Sequence, residues 1–438
     1  MNEKRNIWFL AFIIPVAFFL SSCARNRGEE KILLRWSADA YPVYDKFRAE
    51  ESKKFEKLHP EVTVRYEPIP GGVGSRILTQ IAGRTAPDMF VAGDLNTYIS
   101  KGALIDLTDW YEEDKEYFKE IYPSLIESMM WEGRLYALPG NCNVDILYYN
   151  RDIFDEKGIS YPDEDWTWEN LLEAAKKLTK KDKRGNIIQF GCVFGPKWLS
   201  FILQNGGKIW NENRTKCIIN SPEAKEALVF WKDLYTKYKV APTPLQMREQ
   251  GCGELFIMGR AAMYLGNSWE VATFKIKSRK ELNWDATLIP RAKGKKRFIP
   301  LAYLTYGIWE GSKHPKLAYE LAKFMITPER IKFLVKVGDS LPIRPKGEAM
   351  DYYLSDSTRP EKAKKAMLKS LSLSKSFYRT VYNPYIPSKE QEEIIYSTLE
   401  KFTVTGELSA EEALENIEDS LNRLLEEKKV EVEKSKNE

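Results

Sequence analysis

The chain has 438 residues, 43% of them hydrophobic and 30% charged, with a net charge of +4 made of interleaved Lys and Glu. That length exceeds one ordinary domain and makes two large lobes the default. No concentrated basic stripe of the kind that binds nucleic acid is present, and with only His59 and His314 in the chain a histidine-rich transition-metal site is not expected.

The first residues read as an export signal. Lys4 and Arg5 form a charged start, residues 7–20 an apolar stretch, and removing residues 1–22 deletes Glu3, Lys4 and Arg5 and leaves a charge of +3. The stretch is shorter than the ~20 residues a spanning helix needs and contains Pro15. It ends in Leu20-Ser21-Ser22-Cys23, which resembles the lipobox of bacterial lipoproteins. The resemblance implies a lipidated Cys23, with residues 24–30 as a polar tether. Four further cysteines, at 142, 192, 217 and 252, lack the tight pairs of a structural zinc site. An oxidising exterior would permit disulfides among them, and free buried thiols are equally compatible.

Residues 32–37 read as a strand, 43–58 as a helix stopped by His59-Pro60, 62–66 as a strand, 76–82 as a helix and 87–91 as a third strand. This strand–helix–strand order marks a parallel α/β sheet, whose ligands sit beyond the carboxyl ends of strands. Residues 37–39, 68–72 and 92–96 fall at those ends. Gly71-Gly72-Val73-Gly74 matches neither GxGxxG nor GxxxxGK[ST], so a nucleotide loop is rejected in favour of a loop entering the helix at Ser75. Short helices are expected after Tyr98 and over 122–131.

Pro139-Gly140 breaks the chain before the apolar, β-branched run of residues 144–149. Here the chain is expected to leave one α/β unit and enter another, with Asn141, Cys142 and Asn143 at a cleft mouth. Thr167 starts a helix over 171–178, 187–193 is a strand, and 198–204 is a helix ended by Asn205-Gly206-Gly207. Ser221-Pro222-Glu223 opens the helix 224–238. Residues 239–250 read as loop, 261–265 as a strand, and Gly266-Asn267-Ser268-Trp269 as a turn into the next helix. Further crossings are expected between the apolar runs 284–290 and 302–309, and again over 338–345. Helices over 318–325 and 331–335 lie between these. A lysine-rich surface helix follows, and then two closing helices over 390–402 and 409–428. Ser409 and Glu412 form a capping box at the start of the last helix.

Taken together, Phe55-Glu56-Lys57-Leu58-His59-Pro60, Ala86-Pro87-Asp88, Gly133 to Pro139, Leu147 to Phe154, Asn205-Gly206-Gly207, Gly259 to Met263, Gly266 to Trp269, Leu341 to Arg344 and Gly406 to Leu414 resemble a known family. It is the extracellular solute-binding proteins of bacterial ABC importers, in the carbohydrate-binding group that includes maltose-binding protein. The resemblance spans residues 31–428. It implies an α/β, two-lobed periplasmic-binding-protein-like fold of type II, in which three crossovers form a hinge beside the ligand cleft. The implied lobes are 31–139 with 298–342 and 140–297 with 343–428, followed by a charged tail over 429–438. The implied partners are a sugar, permease subunits of an importer and, through Cys23, the lipid bilayer outside the cytoplasm. A monomer without cofactor or metal is expected.

The resemblance points to Asp94, Asn96, Asn143, Trp198, Trp269 and Tyr385 as ligand contacts. Asp39 and Trp36 at the first strand's end join them, as do Tyr303, where the family often has a glycine pair, and Arg344 beside the third crossover. Physically, indole and phenol rings cover the apolar faces of a sugar while carboxylates and amides fix its hydroxyls. Trp269 follows a sharp turn and reads as a ligand platform. Trp36 and Trp198 fit either core or cleft, Asp94 and Asn96 fit either ligand contact or a helix cap, and Arg344 fits a surface charge as well. A receptor for polyamine, metal chelate or peptide is the alternative within the same fold. A glycoside hydrolase would need two facing carboxylates, and no Gly-x-Ser-x-Gly or His-Glu-x-x-His motif is present.

Overall fold

The computed structural model describes residues 31–195, 197–277, 282–376 and 380–437. Its first sheet is built from β1 (Ile32–Asp39), β2 (Val62–Ile69), β3 (Met89–Val91), β6 (Ala137–Pro139) and β13 (Thr305–Ile308), in the order β2-β1-β3-β13-β6. β2 and β3 run parallel to β1, each reached through a helix, Pro42–Leu58 and Val73–Ala82. β13 is antiparallel to both β3 and β6. A small hairpin, β4 (Met130–Trp131) with β5 (Arg134–Leu135), leads into β6.

The second sheet contains β7 (Asn143–Asn150), β8 (Lys180–Lys181), β9 (Ile187–Phe194), β10 (Ala261–Asn267), β11 (Trp284–Thr287), β12 (Pro300–Ala302) and β14 (Lys375–Ser376). β7 lies at its centre, antiparallel to β10 on one side and to β11 and β12 on the other. Every residue of β7 is buried, which explains its near-continuous apolar sequence: a strand covered on both faces loses the polar alternation of a half-exposed one. β9 and β10 are parallel, with Phe194 opposite Leu265. The result is a two-lobed α/β protein.

The chain passes between the sheets at Gly140–Cys142, at Tyr303–Leu304 and after the helix Pro328–Val337. The expected return to the first lobe at residue 298 is early, because β12 still pairs with β7 and β14. The crossovers are laced together. Gly140 N donates to Leu304 O at 2.8 Å, Leu304 N to Asn141 Oδ1 at 2.7 Å, and Leu341 N to Cys142 O at 2.9 Å. A Cβ on Gly140 would meet the Tyr306 ring at 3.2 Å and Leu304 O at 3.3 Å, so only glycine fits there without displacing a neighbour. Gly338 sits at φ +94° with Ala272 N 2.8 Å from where its Cβ would be, a position closed to other residues by both strain and space.

Several elements differ from their expected extents. The helix after Gly72 starts at Val73 rather than Ser75, because the Asp39 carboxylate accepts from Val73 N at 2.8 Å. The stretch 239–250 contains the helix Pro244–Gln250, started by Thr243 and Gln246 in a capping box with Pro at its first turn. The final helix runs Ala410–Asn437 and absorbs the expected tail, whose Glu and Lys are good helix formers. Its start is the Ser409–Glu412 box, with Ser409 N donating to Glu412 Oε2 at 2.8 Å and Glu412 N to Ser409 Oγ at 3.2 Å.

Candidate functional site

In the first lobe the carboxyl ends of β1 and β3 lead into Asp39 and Asp94. Asp39 Oδ1 holds the start of the helix Val73–Ala82. Asp94 caps the helix Leu95–Ser100, accepting from Thr97 N at 3.3 Å and from the Thr97 hydroxyl. Both carboxylates therefore have a helix-starting role, the one left open for Asp94. Asn96 is buried, and its Nδ2 has no hydrogen-bond partner among the described residues. Thr97 Oγ1 also accepts from Ser388 N at 3.2 Å. Ser388 begins the helix Ser388–Glu400, which packs against the final helix.

In the second lobe, β9 and β10 end side by side, and the residues just beyond them form a polar cluster. Asp145 on β7 lies directly opposite Asn267. Its Oδ1 accepts from Lys197 Nζ at 2.6 Å and from Asn267 Nδ2 at 3.1 Å. The Asp145 side chain is 2% exposed and that of Lys197 23%. Tyr264 Oη donates to Glu270 Oε1 at 2.9 Å, and burial pushes the Glu270 carboxyl above its ordinary range. Trp269, in the turn between β10 and the helix Glu270–Lys277, is 41% exposed. A large apolar ring left open beside polar groups at a strand end suits a ligand platform. Tyr385 is 42% exposed, its ring edge-on to Trp131 of the first lobe at 6.1 Å.

The remaining expected contacts have structural positions. Trp36 is fully buried, its ring tilted by 37° against Tyr66, and its indole N–H donates to Ser52 Oγ at 3.0 Å, which places it in the core. Trp198 is likewise enclosed, with Tyr396 edge-on to its ring. Arg344 is neither a surface charge nor in the cluster. Its Nη1 donates to Ile326 O at 2.8 Å and its guanidinium lies 4.9 Å from the Tyr117 ring centre, which anchors the third crossover to the first lobe. Tyr303 is buried and its hydroxyl pairs with Ser376 Oγ at 2.7 Å. Asn143 is a buried link between crossovers, donating to Asp339 O and accepting from Ser268 Oγ. Cys142, Cys192, Cys217 and Cys252 are all free thiols. Cys23 lies outside the described residues.

Asp145, Lys197, Asn267 and Glu270 were not singled out from the sequence. The available signal was Asp145 itself: a carboxylate inside the otherwise apolar run of a central strand is costly to bury unless paired.

Two α/β lobes laced by three chain crossings, with polar and aromatic side chains gathered beyond the carboxyl ends of their strands, define a hinged, two-lobed binding-protein architecture. The family model for bacterial extracellular solute-binding proteins matches residues 39–330, and the chain belongs to that family. Membership implies a location outside the cytoplasm. No helix among the described residues is long and apolar enough to cross a membrane. An ABC substrate-binding protein from Listeria monocytogenes, solved in complex with cycloalternan, superposes with a TM-score of 0.77 and 28% identity, covering 90% of this chain and 98% of that one. An uncharacterised ABC transporter extracellular-binding protein from Pyrococcus horikoshii is 27% identical over 343 residues, 74% of this chain and 73% of that protein. The galactooligosaccharide-binding protein of Bacillus subtilis is 27% identical over 355 residues, 76% of this chain and 78% of that protein.

Proposed function

We propose that this protein is the substrate-binding component of an ABC importer, held to the outer face of the cell membrane by a lipid on Cys23. It captures an oligosaccharide by closing its lobes and delivers it to the permease without cleaving it. The observation that carries this reading is the exposed indole of Trp269, hydrogen-bonded to Glu270 in the turn that follows Asn267, a member of the Asp145–Lys197–Asn267 cluster. A ring flanked by hydrogen-bonding groups matches the apolar face and hydroxyl rim of a sugar. The cycloalternan and galactooligosaccharide named for the relatives support the same class.

Thermal melting of the mature chain against galactooligosaccharides, cycloalternan and maltooligosaccharides tests the proposal. A ligand present at a hundred times its Kd stabilises the folded state by about 2.7 kcal/mol, a rise in Tm of roughly 3 °C. The sugar should be recovered intact after incubation. No stabilisation by any of these sugars, or their hydrolysis, would overturn the reading. Mass spectrometry of the native protein should find a lipidated Cys23 at the N-terminus, and an unmodified N-terminus elsewhere would remove the anchor from the proposal.

A further inference from the structure

We infer that Lys197, held in place by the buried carboxylate of Asp145, touches the ligand and makes the cleft select uncharged sugars over sugars bearing a carboxylate. The inference rests on the sugar-binding reading above and assigns two residues that determine which sugars are accepted.

The geometry separates the roles of the two side chains. Asp145 is nearly inaccessible and lies on the central strand of its sheet, whereas Lys197 stands just past the end of β9 and reaches the surface. An ammonium has three donor positions. The 2.6 Å contact to Asp145 Oδ1 uses one and fixes where the other two point. Asn267 Nδ2 donates to the same oxygen from the paired strand and locks the carboxylate in turn. Asp145 is thus a positioning residue and Lys197 the contact.

Charge then decides what the ammonium can receive. Asp145 neutralises Lys197 at hydrogen-bond distance, and Glu270 lies close enough for the two to interact electrostatically. Two carboxylates surround one cation, so the neighbourhood offers no net positive charge to an arriving anion. Among the described residues, Asp145 Oδ2 and Asn267 Oδ1 are buried acceptors with no hydrogen-bond partner, so lone pairs rather than donors lie behind the one exposed ammonium. A hydroxyl accepts from that ammonium without adding charge, while an ionised carboxylate brings a further negative charge toward those lone pairs. The cluster therefore complements a polyol and opposes a uronate, although the chain as a whole carries a net positive charge.

The test compares a neutral galactotriose and a neutral maltotriose with trigalacturonate, using calorimetry on the mature chain and on Asp145→Asn and Lys197→Gln. Wild type should bind a neutral trisaccharide at least tenfold more tightly than trigalacturonate. Lys197→Gln should weaken neutral binding about tenfold or more without raising uronate binding. Asp145→Asn, which removes the countercharge, should raise uronate affinity relative to neutral affinity about tenfold. A purely structural role would weaken all ligands alike and leave that ratio in place, so an unchanged ratio in Asp145→Asn overturns the inference. Should Asp145→Asn fail to fold, Lys197→Gln decides alone, because its ammonium is partly exposed and its amide can still donate to Asp145. Unaltered neutral binding in Lys197→Gln, with wild type binding normally, overturns the inference and leaves the sugar reading standing. Tighter wild-type binding of trigalacturonate does the same. Wild type that binds none of these sugars, or those of the melting screen, overturns both.

Discussion

Asn143 joins the first crossover to the third: its Nδ2 donates to the backbone oxygen of Asp339 at 2.8 Å. Its Oδ1 accepts from Ser268 Oγ at 2.7 Å, and that hydroxyl oxygen also accepts from Val144 N at 3.2 Å. One buried amide therefore holds together two chain crossings and the turn that presents Trp269. Asn143→Ala should leave two buried groups unpaired and destabilise the fold by about 2–4 kcal/mol. Denaturant unfolding without ligand checks this. Unchanged stability would return Asn143 to the ligand-contact role expected from sequence.

Trp269 and Trp36 should behave oppositely when truncated. Trp269→Ala removes an exposed platform and should weaken sugar binding about thirtyfold, near 2 kcal/mol, with Tm nearly intact. Trp36→Ala empties a core position and should cost about 3–5 kcal/mol of stability. Calorimetry and melting on both variants decide, and a large Tm loss in Trp269→Ala would place its ring in the core.

Asp339 makes stability depend on pH. Burial raises its carboxyl to about 6, against the stabilising influence of hydrogen bonds from Tyr44 and Asn141 and the charge of Arg48. Its ordinary value in an unfolded chain is about 3.9, so the folded chain holds an extra proton between these limits. Its contribution is fully favourable below about pH 4 and is lost as pH rises through about 6. Asp339→Asn keeps an acceptor and removes the titration. The stability of wild type relative to the variant should fall by about 1–2 kcal/mol between pH 4 and 7, allowing for solvent screening. Parallel pH profiles would contradict the assignment.

The four thiols should be silent in the folded protein. Burial raises Cys142 well above the ordinary thiol range, Cys192 and Cys217 to about 12 and Cys252 to about 11, and thiolate is the reactive form. A thiol reagent at pH 8 should react slowly with native protein and titrate all four after unfolding without reductant. Fewer than four would reveal a disulfide.

Thr97 ties the first lobe to the helix Ser388–Glu400 through its hydroxyl, accepting from Ser388 N while donating to the Asp94 carboxylate. Thr97→Val removes that acceptor at nearly constant volume. The variant should favour the open arrangement, with a larger radius of gyration than wild type before sugar is added and a smaller difference once sugar closes both. Identical scattering curves without ligand would deny the contact any part in closure.

Local order was legible in the sequence because it is set by neighbours along the chain. The Ser409–Glu412 box, the Ser221-Pro222 helix start and the alternation of strands and helices needed only spacing and residue type. The Thr243-Pro244 start is equally local, its short helix lying in a stretch whose composition reads as loop. The family resemblance carried the two-lobed fold. Which side chains face the cleft was decided by tertiary packing. Trp36, Trp198 and Trp269 all stand near strand or helix ends, yet two are enclosed and one is open. Arg344 follows the third crossover and could be placed under Tyr117 only by the packing of a distant helix. The Asp145–Lys197 pair joins residues 52 positions apart, and no periodicity encodes such a contact. Burial and charge pairing depend on which distant segments the fold brings together, whereas propensity and capping depend only on the nearest few residues.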